Sequence, residues 1–396
     1  MKVTRIIHPV GQGGFYTETF SDDQQEATFV YDCGGFDNAQ KKMNSYLDCF
    51  LSNKKPKKKI EAVFISHFHA DHINGLQYLL ENAEVKYLFL PQLSEDVMLE
   101  ALVYNYCLTR SNKLVNDFLI SLYNGKVRFG SNRARTRIIQ IESVDDHILP
   151  DDLHSESFYN NNTEFNAWDW RKKKVVDLST VETLSASTVL QYCSWLYIPY
   201  NSKVRPAKET DLKKKLSKML GTEITVENLP LLIEKYTVEA CREIYKKVFG
   251  SNQNHTSMIL FSGTIENVKI FHCEDISNHQ DDENWLYYKN NRHLNLNNPN
   301  MLYTGDYEPN RRVGCMWYYS KLWNTIATIQ IPHHGSQNNY DEELYKNPSR
   351  GIVSVGNNNS HHHPNVDTLI KIQNQGCYPV IVTEDKSSMK IYQYLL

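Results

Sequence analysis

Three histidines and one aspartate lie within the six-residue segment His67-Phe68-His69-Ala70-Asp71-His72. Each buried His or Asp needs a polar partner, so core packing alone gives no reason to cluster four of them. In an extended segment His67 and His69 fall on one side, while Asp71 and His72 lie at the turn into a helix. The pattern predicts a site for two divalent metal ions, zinc or alternatively manganese, held by nitrogen and oxygen ligands. The alternative is a polar loop with chance histidines.

Composition favours a soluble globular protein. The chain has 396 residues, a formal net charge of −3 and 41% hydrophobic residues, which disfavours a protein that coats nucleic acid through bulk charge. We expect no membrane span and no signal peptide, because long apolar runs are missing. The eight cysteines contain no C-x-x-C pair, which indicates reduced thiols and a cytoplasmic location.

Hydrophobic patterns predict strands alternating with helices, which is typical of an α/β protein. In the first part of the chain we expect strands at 3–8, 27–31, 60–66 and 85–90 and helices at 38–52 and 73–82. In the middle we expect helices within 95–125 and 206–249, strands at 136–141 and 189–199, and a mobile loop at 145–185. In the last part we expect strands at 257–262, 268–272, 301–304, 327–331, 351–355, 379–383 and 389–394 and a helix at 364–374.

The H-x-H-x-D-H segment resembles the signature of the metallo-β-lactamase fold superfamily. Six further segments resemble motifs of that superfamily in the same order, several of them motifs of its ComEC-like branch, the soluble hydrolase domain of a DNA-uptake channel. They are Val10-Gly11-Gln12-Gly13, Asp32-Cys33-Gly34-Gly35, His255-Thr256, Thr304-Gly305-Asp306, His333-His334-Gly335-Ser336, and Val355-Gly356-Asn357-Asn358 with His363-Pro364. Two positions depart from the branch: Gly14 replaces an aspartate, and His361-His362 replaces Tyr-Gly.

The resemblance implies an αββα four-layer sandwich with its metal site at the edge between two sheets. Residues 1–92 and 252–396 carry the motifs and are expected to form the two halves of this domain. Residues 93–251 match weakly or not at all, so we expect them to form a mostly helical insertion. This insertion is also a candidate surface for a partner protein, and the oligomeric state is not indicated.

The resemblance also implies a ligand set. One ion is assigned to His67, His69 and His255; the alternative for His255 is a loop histidine with a structural partner. The second ion is assigned to Asp71, His72 and His334, with Asp306 bridging both.

Two choices concern the later histidines. Adjacent residues that leave a strand point opposite ways, so only one of His333 and His334 is expected to ligate, and we favour His334. His363 is a candidate contact to the transition state, and the alternative for it is a mobile-loop histidine.

These expectations lead to a metal-dependent hydrolase that uses a metal-bound hydroxide. Asp71, Asp306 and His363 are its candidate catalytic residues. The ComEC-like motifs favour phosphodiester substrates, such as nucleic acid or nucleotides. The alternatives are hydrolysis of a small ester, lactone, amide or peptide bond, and a non-enzymatic effector that retains the fold. Runs of basic residues at 54–59, 171–174 and 213–215 support nucleic acid only weakly, because such runs are usually solvated surface.

Overall fold

The structure is a computed structural model. It describes residues 1–51, 57–107, 113–126, 136–144, 149, 164–201, 206–235, 238–250, 257–264, 273–275, 298–309, 314–357, 359 and 362–396.

The first sheet contains most of the strands from the first part of the chain. Its strands are β1 (Lys2–Ile7), β2 (Phe15–Ser21), β3 (Glu26–Cys33), β4 (Lys59–Phe64), β5 (Glu84–Pro91), β6 (Arg137–Ile141), β9 (Thr183–Leu184), β13 (Cys273–Asp275) and β18 (Lys390–Leu395). They run side by side in the order β13-β18-β1-β2-β3-β4-β5-β6-β9. The strands from β3 to β9 are parallel, so their carboxyl ends share one edge of the sheet.

The second sheet draws its strands from the middle and the last part of the chain. Its strands are β7 (Asn166–Asp169), β8 (Lys174–Val176), β10 (Thr188–Tyr192), β11 (Trp195–Asn201), β12 (Met258–Gly263), β14 (Met301–Tyr303), β15 (Thr328–Gln330), β16 (Arg350–Ser354) and β17 (Tyr378–Val382). Their order is β17-β16-β15-β14-β12-β11-β10-β7-β8. The four strands from β14 to β17 are parallel, so this sheet also has an edge formed by carboxyl ends.

Helices cover the outer faces of both sheets. They are α1 (Gln40–Leu51), α2 (Ala70–Ile73), α3 (Leu76–Asn82), α4 (Glu95–Cys107), α5 (Lys113–Tyr123), α6 (Pro206–Leu220), α7 (Leu229–Lys235), α8 (Val238–Phe249), α9 (Cys315–Tyr318) and α10 (Val366–Asn374). The helices α1 to α8 share an apolar core with the outer face of the first sheet, in which α6 and α8 pack against α4. The helices α9 and α10 pack on the second sheet. None of the described helices is long and apolar enough to cross a membrane.

Three apolar cores hold these layers together. One lies between the two sheets and is rich in aromatic rings, including Phe29, Tyr197 and Tyr303. The other two lie between each sheet and its helices. Strand β11 is buried at every residue because it packs on both faces. The αββα sandwich predicted from the sequence is therefore confirmed.

The middle of the chain differs from its prediction in two places. The loop predicted at 145–185 is wrong at residues 166–169, 174–176 and 183–184, which form β7, β8 and β9. The strand predicted at 189–199 is a hairpin of β10 and β11. The strands β6 to β11 extend both sheets, so the middle segment is part of the sandwich as well as a helical layer on it. The domain boundaries at 92 and 252 stay predictions. The strand predicted at 268–272 lies outside the described residues.

Candidate metal centre

The H-x-H-x-D-H segment follows the carboxyl end of β4. The strand stops at Phe64, and α2 begins after His69, so the motif spans the connection from strand to helix. Ser66 turns back to the strand edge, where its amide and hydroxyl both donate to Asp32. His67, His69 and His72 are all buried, which removes their imidazoles from bulk water.

Side chains from both sheets converge at this point in two overlapping groups. The first group is His67, His72 and Asp306; the second is Asp71, His72 and His334; within each, the ligand atoms lie within 4.8 Å of one another. His72 Nε2 lies 3.2 Å from Asp306 Oδ1 and 3.9 Å from Asp71 Oδ2. His334 Nε2 lies 3.3 Å from Asp71 Oδ2 and 3.7 Å from Asp306 Oδ1. Asp306 therefore lies beside histidines of both groups, where its carboxylate could serve two ions.

Hydrogen bonds at Nδ1 orient three of the imidazoles. His334 Nδ1 lies 2.8 Å from the Ser354 carbonyl, and because a carbonyl only accepts, this nitrogen carries the proton. His72 Nδ1 lies 2.8 Å from Asp32 Oδ2. His67 Nδ1 lies 2.9 Å from the Ser66 hydroxyl. Metal-binding histidines are commonly held through the other ring nitrogen in this way.

The Nε2 ends of these rings, which face one another inside the cluster, have the chemistry that a cation requires. Among the residues that the structure describes, His67 Nε2 and His72 Nε2 are buried without a hydrogen-bond partner. Buried polar atoms are rarely left unsatisfied, and imidazole nitrogens beside carboxylates are the donors that zinc prefers. The residues therefore fit a divalent ion.

The electrostatics of the pocket also favour positive charge. Burial lowers the pKa of His72, but the charges of Asp306, Asp71 and Asp32 outweigh burial and hold that pKa well above its usual value. Burial raises the pKa of Asp306, but the neighbouring imidazoles outweigh it, and the pKa is held well below its usual value. The carboxylate is thus ionised and available as a ligand.

Close backbone packing fixes Asp306. Gly305 has φ +55°, and a side chain added there would lie 2.7 Å from Ser66 Cβ, so only glycine fits between the two sheets. The Asp306 amide donates to the Ser257 hydroxyl at 2.9 Å. The amides of Thr304 and Gly305 donate to the side chain of Gln330. This connection ties the end of β14 to β15 and holds the carboxylate toward the histidines.

Two predicted ligands stand apart from these groups. His69 is buried against Tyr104, with ring centroids 3.6 Å apart, and its Nε2 lies 3.8 Å from Glu100 Oε1. Its ring is 4.5 Å from that of His67, but its nitrogens are in neither converging group of the described residues. His255 lies outside the described residues, so the set assigned to the first ion stays a prediction.

His333 and His363 lie on the outer side of the cluster. His333 Nε2 is 4.0 Å from Asp306 Oδ2, and its side chain is 21% exposed against 3% for His334. Its Nδ1 lies 2.9 Å from the Asn339 side-chain oxygen. The rings of His333 and His363 are 5.4 Å apart. His333 lies in the turn Pro332–Gly335, and His363 lies beside that turn. Within the turn, the left-handed φ values of His333 and His334, rather than an extended backbone, make their side chains point in different directions.

Sequence reasoning missed the role of Asp32. Its segment, Asp32-Cys33-Gly34-Gly35, resembles a motif of the ComEC-like branch, but the sequence assigned no role to Asp32 itself. The carboxylate is fully buried and contacts both His72 and Ser66. Gly14 lies against the same pair, and a Cβ added there would lie 3.1 Å from Asp32 Oδ2 and from His72 Nδ1. The sequence signal was an acid at the end of a predicted strand, and its place beside the motif strand follows only from the pairing of β3 with β4.

Residues 23–88 match the model of the metallo-beta-lactamase superfamily. Two solved structures are similar: the metallo-beta-lactamase fold protein YhfI from Bacillus subtilis, at 8% identity and a TM-score of 0.34 with 97% of each chain covered, and unliganded yeast PDE1, at 9% identity and a TM-score of 0.38 with 100% of each chain covered. No curated protein matches the chain at a significant level.

The matched residues 23–88 run from the start of β3 into β5 and contain the H-x-H-x-D-H segment. The two-sheet sandwich brings that segment to Asp306 and His334 from the second sheet. On these observations the chain is a protein of the metallo-β-lactamase fold.

Proposed function

We propose that this protein is a metal-dependent hydrolase that cleaves phosphodiester bonds with two divalent ions, preferably zinc. One observation carries the proposal. Buried imidazole nitrogens of His67 and His72 lack hydrogen-bond partners within the described part of the chain, and they lie at the carboxylates of Asp71 and Asp306. A bound ion there supplies Lewis acidity and lowers the pKa of a coordinated water.

The chain's own residues divide the remaining work. Asp32, Ser354 and Ser66 hold the Nδ1 sides of three imidazoles, so their Nε2 atoms are presented without reorganisation. Asp71 and Asp306 balance the positive charge of the site. Both carboxylates are ionised, because neighbouring imidazoles hold their pKa values below the usual value despite burial.

His333 and His363 supply the feature that favours phosphate. Their rings form an imidazole pair on the outer side of the cluster, in which His333 lies beside Asp306 and both rings are more exposed than the buried histidines. Imidazole N–H groups donate hydrogen bonds to phosphoryl oxygens or a proton to a leaving alkoxide. The ComEC-like motifs, including His363-Pro364, point to the same substrate class.

Activity assays with defined metals test this proposal. Protein stripped by a chelator and reloaded with Zn²⁺ or Mn²⁺ is expected to hydrolyse a chromogenic bis(aryl) phosphodiester, while a β-lactam, a lactone and a thioester are turned over poorly. Asp306→Asn should reduce kcat/KM at least about a hundredfold and lower the number of ions bound per chain. The matched control is Asp367→Asn, an exposed acid in the first turn of α10.

Each alternative has its own outcome in that assay. Turnover of the lactone, thioester or β-lactam in place of the phosphodiester overturns the substrate class and favours the small-molecule hydrolase. Full activity after chelation, or two bound ions in Asp306→Asn, overturns the metal assignment.

A further inference from the structure

The turn between β7 and β8 lies on the same edge of the second sheet as the metal centre. β12 begins at this edge: its first residue, Met258, donates its amide hydrogen to the carbonyl of Ser66, next to the H-x-H-x-D-H segment, at 2.7 Å. The next strands alternate in direction: Asn201 pairs with Met258, Tyr192 with Trp195 and Thr188 with Asp169. β7 therefore ends at the metal edge, and the connection to β8 turns there.

Strand spacing gives the separation along that edge. Asp306 follows β14, and β12, β11 and β10 lie between β14 and β7. Neighbouring strands are about 4.8 Å apart, so four steps place the turn roughly 20 Å from the metal centre. A duplex advances about 3.4 Å per phosphate of each strand, so this span corresponds to about six nucleotides.

The turn carries four consecutive cations, Arg171-Lys172-Lys173-Lys174, which we call the basic turn. Asp169, only 2% exposed, shapes it by accepting from the amides of Arg171 and Lys172. The hydroxyls of Ser185 and Ser187 donate to the same carboxylate. Hydrogen bonds to the buried Asp169 carboxylate thus fix the backbone of the turn, while all four basic residues face solvent.

The charge of this hairpin is polarised toward the metal edge. Its exposed acids Glu164 and Asp177 lie beyond the opposite ends of the strands, and Asp169 at the turn is buried. Within the described residues, Arg171, Lys173 and Lys174 form no ion pair, and Lys172 lies 3.4 Å from Asp169. The Arg171 guanidinium stacks over the Trp170 ring at 5.3 Å, which leaves its N–H groups available at the surface.

The other two basic runs lack these properties. In α6, Lys213 pairs with Glu95, and Lys215 pairs with Asp211 at 2.6 Å. The residues Lys57, Lys58 and Lys59 lie at the start of β4, on the opposite edge of the first sheet from the metal centre. The basic turn therefore differs from these two runs in its place at the metal edge and in its unpaired charges.

We propose that the basic turn binds the phosphate backbone of a nucleic-acid strand whose scissile phosphodiester lies at the metal centre. This inference rests on the proposed function and narrows its substrate to a polymer that spans both places. Backbone binding by lysine and arginine releases counterions and adds affinity without base specificity. A mononucleotide or small diester reaches only the metals and gains nothing from the turn.

The test compares two variants that each remove three lysine charges. The first replaces Lys172 by Gln, Lys173 by Asn and Lys174 by Gln; asparagine suits position 173, where φ is +49°. The control replaces Lys57, Lys58 and Lys59 by Gln. Binding of a fluorescent 20-nucleotide phosphorothioate strand, deoxyribose and ribose in separate arms, is followed by anisotropy from 50 to 200 mM salt. Hydrolysis of 20-nucleotide, 4-nucleotide and bis(aryl) substrates is measured alongside.

The expected result is specific to the first variant. Its Kd for the 20-nucleotide strand rises about tenfold or more, and the slope of log affinity against log salt falls by about 2, since each single-strand contact contributes about 0.7. Its ratio of kcat/KM on the 20-nucleotide to that on the bis(aryl) substrate falls about tenfold, and the control variant keeps the wild-type ratio and slope.

Failure of this inference and failure of the proposed function give different results. Bis(aryl) turnover by the wild-type protein, with equal salt slopes in both variants or with no dependence on strand length, overturns this inference and leaves the proposed function standing. Absence of turnover on every phosphodiester with either metal overturns the proposed function and the inference together.

Discussion

His72 is the residue through which the parts of the metal centre are connected. Its Nε2 faces Asp306 and Asp71, and its Nδ1 contacts the buried Asp32. An imidazole held between acids on both sides is fixed in orientation and made more basic, which strengthens it as a ligand. We therefore propose Asp32 as a positioning residue that acts through His72 and needs no contact with substrate.

Replacing Asp32 by asparagine tests this role. The amide keeps the shape of the carboxylate but loses the charge, so we expect metal affinity to fall by about 10- to 100-fold while the fold is retained. Competition with a chromophoric chelator measures this affinity, and circular dichroism checks the fold. Asp22→Asn, at an exposed turn between β2 and β3, is the control. Wild-type affinity in Asp32→Asn contradicts the assigned role.

The convergence of candidate ligand residues could be predicted from the sequence because rare residue types cluster there in spacings that packing does not explain. Asp71, His72, Asp306 and His334 converge as the pattern implied. Asp32 could not be predicted, since one aspartate before two glycines is typical of any turn. Only the parallel pairing of β3 with β4 shows that it lies beside the motif.

The helices α4, α6 and α8 form a layer beside the metal centre on the first-sheet side. Tyr104 of α4 stacks on His69, and Glu100 accepts a hydrogen bond from Tyr245 of α8. Glu209 of α6 is only 9% exposed. Burial, followed by the charges of Glu100 and Asp96, raises its pKa from 4.5 to about 8. This helical layer therefore contains a carboxyl group that stays protonated at neutral pH.

That carboxyl group gives stability a specific pH dependence. The unfolded chain releases this proton above its ordinary pKa of 4.5, but the folded chain keeps it up to about 8. The folded state therefore binds more protons in this window, and stability is lost as pH rises through it. Glu209→Gln carries no such proton. Its free energy of unfolding should therefore exceed that of the wild type by a few kcal/mol at pH 9 and be similar at pH 4.5, since each pKa unit is worth about 1.4 kcal/mol.

Urea unfolding at the two pH values measures this difference. Glu227→Gln, an exposed acid before α7, serves as the control and should show no such trend. An equal free-energy difference at both pH values contradicts the assignment of the proton to Glu209.

Elements were predicted well where apolar patterns were long. The amphipathic helices α6 to α8 and the buried strands β4, β12 and β16 lie within a few residues of their predicted places. The strands β7 to β9 were missed because they are two to four residues long and lie at or next to sheet edges, with few apolar residues. Whether such short segments form strands depends on the strands beside them in the folded protein, and the local sequence does not specify those neighbours.

At the scale of the whole molecule, a buried ionic cluster joins the two sheets. Arg5 of β1 and Glu18 of β2 lie 2.7 Å apart and are 1% and 3% exposed. Glu18 also accepts from Tyr197, Ser262 and Tyr303 of the second sheet. The carboxylate thereby satisfies donors from both layers in the middle of an otherwise apolar core.

Removal of Glu18 should destabilise the protein severely. Glu18→Ala leaves the Arg5 guanidinium buried with its main partner lost, which costs about 3–5 kcal/mol. The comparison is Glu26→Ala, which breaks an exposed pair with Lys58 at 3.6 Å and should cost less than about 1 kcal/mol. Urea or thermal unfolding measures both. If the double replacement of Arg5 and Glu18 by Met is as unstable as Glu18→Ala, the unpaired charge is not the cause.

The place of β18 in the first sheet has a consequence for synthesis on the ribosome. β18 pairs with β1 along its whole length, although almost the entire sequence separates them. While the chain is being translated, β1 therefore exposes one row of unsatisfied amides and carbonyls next to an apolar face. Such an edge recruits other strands. We expect nascent chains arrested before β18 to associate with chaperones or with each other, and this tendency to disappear once β18 has emerged.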